Sequence, residues 1–222
     1  MKKLITLFIF VCCMGGMRAA DNPNVKKLFS VTSGELKLTF MVGTDDRLYQ
    51  LGFGDAAAEV VPSAKMPSRE REFLPPYGNG VLTEPALQVT HVDGNTSTEL
   101  HYIGHRTENL NGGISQTVIS LKDPAYPFTV EIYIKSYADN SMMEIWNTVS
   151  HNEKGKIVLH RFASASPVLK AKEYWLTQFA GNYKREATIS EEQLSEGIKI
   201  LDSKLGAVSY THLRAHETRH DL

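Results

Sequence analysis

The sequence predicts an all-β protein built as a large antiparallel β-sandwich. Three observations carry this expectation. Apolar residues recur with period two in one run after another, the runs are rich in β-branched and aromatic residues, and turn-forming clusters separate them at short intervals. No long amphipathic helix lies between the runs, and strands spaced this closely fit an antiparallel sandwich.

The elements follow in order. "ELKLTFMV" (35–42) alternates Leu36, Leu38, Phe40 and Val42. "STELHYIG" (97–104) and "ISQTVISL" (114–121) alternate as well. "FTVEIYIKSY" (128–137) places Phe128, Val130, Ile132 and Ile134 on one face, with Thr129, Glu131, Tyr133 and Lys135 on the other. "MMEIWNTVS" (142–150) and "KIVLHRFAS" (156–164) complete the strand series. The intervening "VDGN", "TENLNGG", "DPAYP", "YADNS" and "HNEKGK" are turn signals, rich in Gly, Pro, Asn and Asp. One short helical candidate is "SEEQLSEG" (190–197), with Ser190 as N-cap, acids in the first turn and Gly197 at the end. No internal repeat is present.

Residues 1–20 read as a secretory signal peptide of bacterial type. Lys2 and Lys3 precede an apolar run from Leu4 to Met14, too short to span a bilayer, and small residues follow, with cleavage expected near Ala19 or Ala20. A lipoprotein would use Cys12 or Cys13, but Phe10 and Val11 fit a lipobox poorly. Both cysteines of the chain lie in this segment. The exported domain, residues 21–207, therefore has no disulfide or thiolate chemistry, and its core must stabilise it. Export places it in the periplasm or outside the cell.

Composition and motifs exclude several classes of function. A formal net charge of −1 without a long basic run argues against a nucleic-acid partner. There is no Gly-rich phosphate loop, G-x-S-x-G or H-E-x-x-H motif. His101 and His105 lie four apart on a strand, about 13 Å from one another, so they do not converge on a metal. No cofactor is expected. Glu84, Glu131, Glu144, Glu173 and Glu186 are scattered, and their spacing selects no glycosidase pair. Trp146, Tyr174 and Trp175 could form aromatic sugar platforms. Each sits in an apolar strand pattern, however, so core positions are expected.

An ordered set of stretches resembles a known family. These are "DDRLYQLGFG" (45–54), "PPYGNGVLTEPALQVTHVDGNTSTELHYIGHR" (75–106), the segment from Gly113 to Leu169, and "YWLTQFAGNYKREATISEEQLSEGIKILDSKLGA" (174–207). Tyr77, Gly78 and Gly80 precede Glu84-Pro85-Ala86. Leu159 and Arg161 lead to Ser164. Gly181 and Glu186 follow, with Tyr183 where the family prefers tryptophan, and Leu194, Gly197, Ser203 and Gly206 close the pattern. Together they resemble the N-terminal domain of glycoside hydrolase family 36, the long, multidomain α-galactosidases.

The resemblance implies a galactose-mutarotase-like supersandwich that is itself noncatalytic. In the family, the two catalytic aspartates lie in a following (β/α)8 barrel, which this chain lacks; the chain alone should be inactive. The resemblance further implies a retaining α-galactosidase acting on terminal α-galactosides of oligosaccharides, in carbohydrate catabolism, assembled as a homo-oligomer. The alternative is a free-standing carbohydrate-binding or structural sandwich. The stretch from Met66 to Glu84 is the longest without strand periodicity. Multidomain members pack the sandwich beside the barrel mouth, so Tyr77, Asn79 and Glu84 are the candidate sugar-proximal residues. The common "G-D-[FY]-R-x-P-A" reads "GVLTEPA" here, with Val81 and Thr83 replacing the usual acid and arginine.

The last segment, "VSYTHLRAHETRHDL" (208–222), departs from this pattern. His212, His216 and His220 would line one face of a helix, as metal ligands can. The string instead resembles one reading frame through a sequencing-library adapter, and it is expected to be a non-native tail.

Overall fold

The computed structural model describes residues 22–201, apart from 81, 183 and 184. The proposed signal peptide (1–20) and tail (208–222) lie outside the described residues, as do Tyr183, Ser203 and Gly206. The described residues form two compact units, 22–169 and 170–201. Nearly all regular structure is antiparallel β, and no described helix is long and apolar enough to cross a membrane.

The first unit opens with a three-stranded meander, β1 (Val25–Ser33), β2 (Leu36–Gly43) and β3 (Leu48–Asp55), in the order β1-β2-β3. Ser33 faces Leu36, which leaves a two-residue turn at Gly34-Glu35. Gly34 is required there. Its φ is +55°, and a Cβ would lie 2.4 Å from the Ala138 carbonyl oxygen. The turn is fastened by two hydrogen bonds: Ser33 Oγ donates to the Met142 carbonyl (2.7 Å), and the Glu35 amide donates to Ser141 Oγ (2.9 Å).

The second sheet is β5-β6-β7-β8, made of β5 (His101–Asn109), β6 (Ile114–Lys122), β7 (Phe128–Tyr137) and β8 (Met142–His151). The expected face of β7 is fully buried: Phe128, Val130, Ile132 and Ile134 expose 1% or less. They join Leu38, Phe40 and Val42 of β2 and Ile119 and Leu121 of β6 in one apolar cluster. Each such side chain stabilises the fold by about 1.5–3 kcal/mol through burial. A third, two-stranded sheet pairs β4 (Leu87–Thr90) with β9 (Val158–Phe162). Gln50 then ties down the chain beyond β9, donating to the Val168 carbonyl and accepting from its amide.

The second unit is a hairpin, β10 (Trp175–Asn182) with β11 (Arg185–Gln193). It corrects the helical candidate at 190–197. Ser190 does not cap a helix: it pairs with Gln178, and Glu191, Glu192 and Gln193 continue the ladder opposite Thr177, Leu176 and Trp175. A four-residue acidic cluster is too short to nucleate a helix against an available strand partner.

Candidate functional site

The loop between β3 and β4 is anchored midway, at Glu72, by a buried charge network. Arg47, 3% exposed, donates to Glu72 Oε1 at 3.0 Å, with Glu99 at 3.3 Å and Asp45 at 3.8 Å. Burial pushes the Glu72 carboxyl up to about 7, against the pull of Arg47. Burial and the bond to Asp45 also raise the Tyr49 phenol. Backbone contacts fix the same point. Glu72 bridges to Tyr49, and the Phe73 amide donates to the Leu48 carbonyl. Phe73 and Leu74 then enter the core.

From this anchor the chain rises into a groove. A short 3-10 turn at Arg69–Arg71 is capped by Ser68, and Arg69 donates to the Asn79 carbonyl at 2.6 Å, drawing the loop across. Pro76 bridges to Leu87, the Tyr77 amide donates to the Leu87 carbonyl, and the Thr98 amide donates to the Tyr77 carbonyl. Gly78, at φ +92°, presses against Ser97; a Cβ there would lie 2.7 Å from Ser97 Cα. The resulting open groove, about 580 Å³, is lined by Tyr77, Asn79, Thr83, Pro85, Thr96 and Ser97 among others.

The three sequence candidates have different positions. Tyr77 lines the groove with 45% of its surface exposed. Asn79 lines it too but is 3% exposed, and its backbone carries the Arg69 contact. Glu84 does not line the groove; it is ion-paired with Arg161 of β9. Thr96 and Ser97 were not among the sequence candidates. They reach the groove from the next loop, a long-range juxtaposition that no local pattern encodes.

His101 and His105 do not share a site: His101 sits beside Glu99, whereas His105 accepts or donates at Tyr102 Oη and stacks on Phe29. No cluster of three or more metal-ligand side chains occurs among the described residues. The expected core positions of the aromatics are corrected. Trp146 is half-buried on the face of β8 opposite Met143, Ile145 and Val149, which pack against the core, while Trp175 is 60% and Tyr174 39% exposed. In "MMEIWNTVS", Ile145 and Trp146 are adjacent, so one must point outward, and the register chose the tryptophan.

Fold and site define a β-sandwich domain with a loop-built groove of mixed polar and apolar lining. Residues 43–215 match the glycosyl hydrolase family 36 N-terminal domain, and the chain belongs to that family. The matched span ends within the 208–222 segment. Among similar curated proteins, α-galactosidase C of Emericella nidulans is 23% identical, over 72% of this chain and 24% of its own length. α-Galactosidase AgaA of Geobacillus stearothermophilus is 24% identical, over 87% of this chain and 31% of its own length. The crystal structure of α-galactosidase AgaB from Geobacillus stearothermophilus superposes with a TM-score of 0.70 at 22% identity, over 81% of this chain and 29% of that one. The chain thus spans a quarter to a third of the length of these relatives, and the structural likeness shows the shared sandwich fold.

Proposed function

We propose that this chain is the noncatalytic N-terminal domain of an exported, retaining α-galactosidase that removes terminal α-galactosyl groups from oligosaccharides. The carrying observation is the family match over residues 43–215. The curated relatives it resembles are named α-galactosidases. In a retaining enzyme, one carboxylate forms a glycosyl-enzyme intermediate and another acts as acid and then base. On this reading both come from a following barrel, and the enzyme is a homo-oligomer.

The sandwich's own contribution is the 66–84 loop, which narrows the entrance to a barrel site of the same or a neighbouring subunit. Support comes from its bracing: Arg47–Glu72 at its base and Arg69–Asn79 across it hold Tyr77 in a fixed, exposed position. The Tyr77 ring packs against an apolar sugar face, and the buried Asn79, held by Arg69, positions the loop that presents it. Glu84 is one step removed, because its carboxylate is neutralised by Arg161.

The test uses the longer gene product with Tyr77→Ala and Asn79→Ala. Michaelis constants are compared for a short aryl α-galactoside and for raffinose. A selective rise of KM for raffinose is expected, since its two further sugar rings extend farther from the galactose subsite than an aryl group does. Unchanged constants for both substrates would remove the loop from the site.

A further inference from the structure

A buried imidazole stands behind the groove, one residue away from Tyr77. His91 follows β4 and is 2% exposed. Its ring stacks on Tyr126, with centroids 3.6 Å apart and 5° between the planes, and lies T-shaped to Phe128. Both ring nitrogens are engaged. Nδ1 donates to Glu153 Oε1 (2.8 Å), because an ionised carboxylate only accepts, and Glu153 Oε2 accepts from the Val92 amide (3.0 Å). Nε2 meets the hydroxyl of buried Thr98 at 3.0 Å. The Thr98 amide in turn donates to the Tyr77 carbonyl at 3.0 Å. One line of hydrogen bonds thus runs from Glu153, between β8 and β9, through His91 and Thr98 to the backbone of Tyr77.

We propose that His91 is a positioning residue that fixes Tyr77 at the groove through Thr98. A buried polar side chain costs stability unless it is bonded, so an apolar residue would serve if packing between Tyr126 and Phe128 were all this position required. What the imidazole adds is a bond at each end: one to the turn after β8, the other to the residue that holds Tyr77. The Tyr77 amide donates to the Leu87 carbonyl, and its own carbonyl accepts from Thr98. Both peptide planes that flank Tyr77 are therefore fixed, and its half-exposed ring enters the groove at one angle. The same loop presses Ser97 against Gly78, the next residue along. The consequence for substrate rests on the reading of Tyr77 as a sugar contact; the positioning itself does not.

The test separates placement from substrate binding. The full chain is labelled with 3-fluorotyrosine, and the Tyr77 fluorine resonance is assigned by its loss in Tyr77→Phe. An Asn amide occupies the Nδ1 side of an imidazole's space and a Gln amide the Nε2 side, so His91→Gln keeps the Thr98 contact that His91→Asn loses. His91→Asn and Thr98→Val should shift or broaden the Tyr77 resonance, and His91→Gln should leave it nearer the parent's. Thr98→Val, which preserves shape, serves alone if circular dichroism shows His91→Asn unfolded. In the longer gene product, His91→Asn and Thr98→Val should each raise KM for raffinose about two- to tenfold, the worth of one hydrogen bond, with a smaller rise for the aryl α-galactoside and kcat unchanged. A Tyr77 resonance unmoved in Thr98→Val, or disturbed as much by His91→Gln as by His91→Asn, would overturn the proposal. So would an unchanged raffinose KM in Thr98→Val where Tyr77→Ala raises it. If Tyr77→Ala itself leaves that KM unchanged, the sugar-contact reading falls, and the fluorine spectrum alone decides the positioning.

Discussion

At the residue scale, Glu72 and Gly78 carry the base and the rim of the groove. The Glu72 carboxyl is pushed up from an ordinary 4.5 to about 7, so the folded chain holds that proton more tightly than the unfolded chain does. Its contribution to stability is complete below about 4.5 and is lost as pH rises through about 7. Glu72→Gln should therefore flatten the Tm profile between pH 5 and 8; a profile parallel to the parent's would refute this assignment. Gly78→Ala should cost about 1–3 kcal/mol, because φ is +92° and the new methyl meets Ser97 backbone. The denaturant midpoint reads that loss. Tyr77 was legible in the sequence as an exposed loop aromatic. The ion pair that occupies Glu84 was not, because Arg161 is distant in sequence and reaches it only through the β4–β9 pairing.

At the element scale, β7 shows why alternation was informative. Its period-two pattern survives intact: one face is the core and the other is half-buried and mostly polar. Ile132→Ala should cost about 2–5 kcal/mol in chemical denaturation, whereas Thr129→Ala on the opposite face should stay within about 0.5 kcal/mol. Equal losses would contradict the two-faced reading. Strands with weaker alternation were harder to read. β1 mixes Lys26 and Lys27 with Leu28 and Phe29, and β11 is so acidic that Ser190–Gln193 looked like the start of a helix. In both, pairing with a neighbour, rather than the strand's own residues, decides the conformation. Trp146 was misplaced for a related reason, since two consecutive large apolar residues cannot share a face of a strand.

At the scale of the whole molecule, we propose that residues 21–207 carry the sandwich domain and that 208–222 is a non-native tail, into which the family match extends as far as residue 215. Deleting 208–222 should leave the melting temperature and circular dichroism unchanged; loss of a stoichiometric zinc stabilisation in the deletion would reveal a real site. The proposed function assigns the chemistry of an α-galactosidase to a domain other than this sandwich. It is tested most directly by assaying a chromogenic α-galactoside with two purified proteins, residues 21–222 and a longer gene product that contains them, both free of host galactosidase. The account predicts turnover by the longer product and none above buffer by the shorter. Hydrolysis by residues 21–222 alone, or a longer product that leaves the substrate intact, would contradict it.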